Sequence, residues 1–126
     1  MTMKAACIQL TSGPDINANI EAVELLIREA HGQGARAIIT PEVTDLICQD
    51  KDNRLARASP EEDHPGIARF TTLARELGIW LIAGSFLIKL DDEKLANRCF
   101  VFTPEGAIAA KYDKIHMFDV ELESGE

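Results

Sequence analysis

The sequence predicts an α/β fold with helices packed on a mixed sheet. Three observations lead there. Apolar runs of strand length recur at residues 5–10, 35–40 and 79–85. Between them lie two stretches whose apolar residues repeat at three- and four-residue steps. Two further short runs, 97–103 and 107–111, flank a turn containing Pro104 and Gly106. Strands alternating with amphipathic helices and followed by a hairpin make a layered α/β domain.

The first run, Ala-Ala-Cys-Ile-Gln-Leu, ends in Thr11-Ser12-Gly13-Pro14 and reads as a buried strand and a turn. Asp15 or Asn17 can cap the helix that follows. Ile20, Val23, Ile27 and Ala30 give that helix one apolar face, and Gly32 and Gly34 stop it. The second strand, 35–40, ends at Pro41. Residues 42–63 are polar and poorly periodic, which predicts a functional loop with room for a short helical turn. Asp63-His64-Pro65 opens a second helix with the stripe Ile67, Phe70, Leu73 and Leu77, and Gly78 ends it. Ile79-Trp80-Leu81-Ile82-Ala83-Gly84-Ser85 is continuously apolar, as a central strand covered on both faces would be. Residues 90–95 form a charged turn. Thr103-Pro104-Glu105-Gly106 suits a type I turn between the last two strands. Five strands with only two helices leave one sheet face largely uncovered. The chain shows no repeat and no linker composition, so one domain is expected over residues 1–126.

Composition narrows the function. A chain of 126 residues with 46% hydrophobic residues can build a core. Its net charge of −8 argues against a nucleic-acid partner, which selects a basic face. No segment approaches the roughly 20 apolar residues that span a bilayer. The N-terminal apolar run is too short for a signal peptide and lacks a cleavage site, so a cytoplasmic location is expected. Three cysteines, an odd number without a C-x-x-C spacing, fit reduced thiols.

Three sets of residues could carry chemistry. Glu42, after Thr40-Pro41, sits just past a strand end, where α/β sheets place functional groups. Taken alone it also reads as a solvated loop carboxylate. Lys114 lies just past the last strand, and a lysine near a carboxylate can donate a proton or stabilise an oxyanion. Alone it too reads as surface charge. His116 has only His31 and His64 as potential co-ligands, in no metal-like spacing, and no metal site is expected. Cys7 and Cys99 fall in apolar strands and read as core residues. Cys48, in the loop after Glu42, reads as exposed and is the internal candidate for a nucleophile.

Several motifs in order resemble the nitrilase superfamily of carbon–nitrogen hydrolases. These are the first strand with Ala-Cys-Ile-Gln-Leu, Asn17-x-Asn19-Ile20, Ile38-Ile39-Thr40-Pro41-Glu42, Gly84-Ser85, Asn97-Arg98, and Phe102-Thr103-Pro104-Glu105-Gly106. The most specific stretch is Tyr112-Asp113-Lys114-Ile115-His116-Met117-Phe118-Asp119. The resemblance spans the whole chain but only about the first half of a family domain. It implies the first half of an α-β-β-α sandwich and a partial domain over 1–126. It implies Glu42 as general base and Lys114 as oxyanion stabiliser in a Glu-Lys-Cys triad, with the nucleophilic Cys lying beyond residue 126. It further implies a small-molecule amide substrate, no cofactor and a homo-oligomer at full length. The run around Lys114 resembles the branch of omega-amidases and deaminated-glutathione amidases, whose substrates would be small carboxylate-bearing amides. An acidic residue that often follows Gly-Ser in relatives has no counterpart in 86–89. The alternative reading is a non-catalytic binding module that kept the sheet and lost the chemistry.

Overall fold

The computed structural model describes residues 2–116. The last three residues of the Lys114 motif, Met117, Phe118 and Asp119, lie outside them. Five strands form one mixed sheet in the order β1-β2-β3-β4-β5. They are β1 (Ala5–Cys7), β2 (Ala37–Ile39), β3 (Trp80–Lys89), β4 (Leu95–Phe102) and β5 (Ile108–Asp113). β1, β2 and β3 are parallel, whereas β4 and β5 return antiparallel. Two antiparallel steps restore the direction, so β5 runs the same way as β2. The C-terminal ends of β2 and β5, which lead to Glu42 and Lys114, therefore open at the same edge of the sheet.

Helix α1 (Ile16–Gly32) is capped by Asp15, whose carboxylate accepts from the Ala18 N–H at 3.0 Å. It buries Ile20, Val23 and Ile27. A second helix, α2 (Lys51–Arg57), and a 3-10 turn, Glu61–Asp63, occupy the segment expected to be mainly loop. α2 buries no residue, so its sequence carries no apolar stripe. Helix α3 (Pro65–Leu77) buries Phe70, Leu73 and Ala74, with Ile67 and Leu77 partly buried against the same core. It ends at Gly78, whose φ of 63° is left-handed and comfortable for glycine.

Helices α1 and α3 touch each other and cover one face of the sheet. Phe70, Phe86, Phe100 and Phe102 interlock at the centre with ring centroids 5.1–6.0 Å apart. The strand expected over 79–85 is central, as its apolar run suggested, but it continues to Lys89; the helices cover one face, and among the described residues the other is covered only near Leu87, by Leu46 and Ala58. On the other face Ile39, Trp80 and Tyr112 keep 37, 42 and 59% of their surface exposed. Cys7 lies on edge strand β1 and is exposed, which corrects its assignment to the core. Cys48 is half-buried rather than exposed, because its loop folds back against Leu46.

The hairpin turn closes with Gly106 N–H donating to Thr103 O at 2.9 Å. Gly106 has φ 81°, and the register of β4 against β5 shifts between Val101 and Phe102. A type I turn followed by a left-handed glycine produces such a bulge.

Candidate active site

Glu42 follows β2 on a segment wrapped tightly over β3. Pairing of β3 with β4 passes from Ala83↔Phe100 to Phe86↔Arg98, so β3 carries one extra residue and bulges at Gly84-Ser85. The Pro41-Glu42 turn rests on that bulge. Gly84 N–H donates to Thr40 O at 3.1 Å. A Cβ on Gly84 would come within 2.6 Å of the Pro41 carbonyl oxygen, so only glycine fits. Val43 has φ 53°, a costly left-handed conformation for a β-branched residue. Its N–H donates to Ser85 Oγ at 2.7 Å, and Thr44 N–H donates to Ser85 O at 3.0 Å. Thr44 Oγ1 donates to Pro41 O at 2.7 Å. The bulge thus holds the strained turn that aims Glu42.

A buried polar cluster anchors the far side of the same segment. The Asp45 carboxylate accepts from Leu87 N–H at 3.1 Å and lies 2.9 Å from His64 Nε2, with both side chains fully buried. His64 Nδ1 accepts from Gly66 N–H at 3.1 Å, which leaves Nε2 as the ring's donor to Asp45. The Asn19 amide donates to Asp45 O at 2.7 Å and to Gly13 O at 2.8 Å. Asn19, Asp45, His64 and Ser85 were not singled out as site residues from the sequence. Asp45 lies in a polar, aperiodic stretch, where burial leaves no periodic signal.

Lys114 Nζ donates to Glu42 Oε1 at 2.6 Å. Asn97 joins them. Its side-chain amide donates to the same Glu42 oxygen at 2.8 Å, and its backbone oxygen accepts from Lys114 N–H at 2.9 Å. The hydrogen bond from Lys114 holds the Glu42 carboxyl below the ordinary carboxylate range. The bond from Asn97 adds to that shift, and partial burial opposes it. The carboxylate is therefore ionised at neutral pH and available to accept a proton.

The end of β5 is fixed by a charge network. Arg98 binds both Asp113 oxygens and also Glu61, and Lys111 pairs with Glu61. Arg98 pulls the Asp113 carboxyl down, and Asp113 in turn raises Arg98 further. This network ties the 3-10 turn to the strand that delivers Lys114.

Two cavities meet at this triplet. One of about 200 Å³ is lined by Glu42, Gly84, Ser85, Asn97, Cys99, Tyr112 and Lys114. The other, about 370 Å³, adds Arg54, Cys48 and apolar side chains of the Glu42 loop, β3 and β4. Cys99 and Cys48 each face one cavity. Burial pushes the Cys99 thiol up, away from the thiolate form a nucleophile needs. His116 stands in no cluster of metal-ligating groups among the described residues.

The mixed sheet brings a carboxylate, a lysine and an amide together at one open edge. Residues 4–126 match the carbon-nitrogen hydrolase family, and the chain belongs to that family. It is 34% identical to the deaminated glutathione amidase of Homo sapiens over 97% of this chain and 38% of the relative. It is 36% identical to the human omega-amidase over 96% of this chain and 43% of that protein. The NitFhit protein of C. elegans superposes with a TM-score of 0.82 at 27% identity, over 95% of this chain and 29% of that one. The chain therefore spans about two-fifths of the length of these curated relatives. The mixed α/β architecture is that of the nitrilase-fold neighbours. No described helix is long and apolar enough to cross a membrane.

Proposed function

We propose that this chain is the N-terminal part of an amidase that hydrolyses the C–N bond of a small non-peptide amide through a Glu-Lys-Cys triad. Glu42 is the general base, Lys114 is the oxyanion stabiliser, and the nucleophilic Cys is supplied from beyond residue 126. The observation that most supports this is the direct Glu42–Lys114 contact, at 2.6 Å, in a chain of this family.

Glu42 takes the thiol proton, and the thiolate attacks the amide carbon to form a tetrahedral oxyanion. Lys114, held beside Glu42, places positive charge where the oxyanion develops. As the C–N bond breaks, the protonated Glu42 returns its proton to the leaving amine. Water then attacks the thioester with Glu42 again as base, releasing the acid and restoring the thiol. Neither a metal nor an organic cofactor enters these steps. The full-length protein is expected to form homo-oligomers and to act in the cytoplasm.

Ammonia release from a panel of small amides tests the proposal. The full-length protein should turn over at least one of them. The isolated 126-residue chain, lacking the nucleophile, should stay at background. Turnover by the isolated chain that disappears on Cys48→Ala or Cys99→Ala would overturn the assignment of the nucleophile. If the full-length protein binds small amides without hydrolysing any, the chain is a binding module of this fold.

A further inference from the structure

We propose that the Ser85 hydroxyl is a second donor to the substrate's carbonyl oxygen, acting beside Lys114 as that oxygen becomes the oxyanion. This rests on the amidase function proposed above and adds a catalytic residue to that same site.

Ser85 is only 3% exposed, yet it lines the cavity of about 200 Å³ together with Glu42, Asn97 and Lys114. A hydroxyl carries one donor hydrogen and accepts through its lone pairs. Ser85 Oγ already accepts, because Val43 N–H donates to it at 2.7 Å. Its own hydrogen meets no acceptor among the described residues. Asn97 Oδ1, on the same wall, has no hydrogen-bond partner there. The Glu42 carboxylate takes its bonds from Asn97 and Lys114. A buried donor left unpaired costs free energy, and buried polar groups are nearly always paired. The cavity is where the missing acceptor can enter.

That acceptor lies within reach of Lys114. The Lys114 ammonium has three N–H bonds and gives one to Glu42 Oε1. An oxygen in this cavity can therefore accept from Lys114 Nζ and Ser85 Oγ together. When the thiolate forms its S–C bond, the C=O π pair moves onto oxygen, and both hydrogen bonds strengthen as the charge develops. When the C–N bond breaks, the pair returns to the carbonyl and the amine leaves with the proton from Glu42. Ser85 keeps its proton throughout.

The β3 bulge prepares this donor. Ser85 N–H donates to Pro41 O at 3.4 Å, and Ser85 O accepts from Thr44 N–H at 3.0 Å, so its backbone is held on both sides. The bond from Val43 fixes Oγ and polarises the hydroxyl, which makes it a stronger donor. A donor aligned before the reaction needs no reorganisation during it.

Two measurements on the full-length protein and its Ser85→Ala variant test this. The first sets turnover of the amide that the parent hydrolyses fastest beside iodoacetamide labelling of the nucleophilic Cys. In Ser85→Ala kcat should fall roughly 10²–10³-fold with little change in KM, as on loss of one oxyanion donor. The Cys should still label at the parent rate, because labelling needs the base but forms no oxyanion. Parent-like turnover would overturn the assignment. So would a Ser85→Ala protein that labels slowly or does not fold, since Ser85 would then be a support of the Val43 turn. The second measurement uses butyraldehyde, to which a thiol adds reversibly at the carbonyl carbon without any hydrolysis. Protecting the Cys from iodoacetamide should take at least tenfold more butyraldehyde in Ser85→Ala. That result upholds the Ser85 donor even if no amide is turned over, an outcome that would sink the amidase function instead. Equal protection in parent and variant, or none in either, would refute the Ser85 donor whatever the amide result.

Discussion

Glu42 and Lys114 stand 72 residues apart in the chain and meet at 2.6 Å, Nζ to Oε1. Asn97 couples them, with its side chain on Glu42 and its backbone oxygen on the Lys114 amide. Strand direction brings this about. β2 and β5 run the same way and release their C-terminal residues at one edge of the sheet.

Asn97→Ala should move the acid limb of the pH–rate profile upward. The amide hydrogen bond favours the charged form of Glu42, so removing it raises the carboxyl toward its ordinary value of about 4.3. Lys114 contributes the larger part of the shift and remains, so the movement is partial. The kcat/KM profile of the full-length protein below pH 6 checks this. An unmoved limb would separate the hydrogen bond from the titrating base.

Gly84→Ala should damage the site from below. The new methyl group meets the Thr40 and Pro41 carbonyls, backbone that cannot yield without displacing Glu42. Overpacking of this kind costs about 1–3 kcal/mol. Activity should fall further than that stability loss accounts for, because the turn that moves carries the base. Denaturant melts beside steady-state rates read both quantities.

His64→Ala should be among the most destabilising changes in the chain. It leaves the Asp45 carboxylate buried without its imidazole partner and removes the ring stacked on Phe86 at 4.9 Å. Losing one member of a buried pair costs about 3–5 kcal/mol. Asp45→Asn keeps the shape and can still accept from Leu87 N–H, so it should cost less. Equal, small losses for both substitutions in urea unfolding would remove the pair from the account of the loop.

Acid should weaken the fold through specific carboxylates. Arg98 lowers Asp113. At Glu61 and Glu24 burial works against the shift, but hydrogen bonds from Lys111 and Arg98, and from Arg69 and Arg28, outweigh it. A depressed carboxyl contributes stability that is present above its unfolded value, about 4.3 for Glu and 3.9 for Asp, and is lost as pH falls through the lower folded value. Unfolding midpoints should therefore hold through neutral pH and drop below about pH 4. Arg98→Met should partly flatten that decline, since it releases Asp113 and leaves Glu61 with Lys111 alone.

Much of the fold was legible where periodicity decides structure. The faces of α1 and α3, their Asp15 and Gly78 ends, and the central apolar strand follow from single-residue patterns. The Pro104–Gly106 hairpin was legible from its turn residues. Helix α2 was not, because it buries nothing and leaves no stripe. The run of β3 to Lys89 was hidden by the Gly84-Ser85 bulge, which breaks the alternation a reader counts. Glu42 and Lys114 each lie just past a strand, but alone each also reads as surface charge, and it was the resemblance that singled them out as candidates. Their contact depends on strand order, which no local pattern states. The Asp45–His64 pair was invisible for a different reason: two polar residues in a polar loop look solvated until the fold closes over them.

The most direct test of the Glu42–Lys114 account combines intact-mass labelling of the nucleophilic Cys by iodoacetamide with turnover, in full-length Glu42→Gln and Lys114→Ala. Gln keeps the shape of Glu without its basicity, so Glu42→Gln should lose turnover and label slowly. Lys114→Ala removes a stabiliser of the oxyanion that can be worth about 3–4 kcal/mol, or roughly 10²–10³ in rate. It should label readily and still fail to turn over. Near-parent turnover in either variant, or unchanged labelling in Glu42→Gln, would contradict the mechanism.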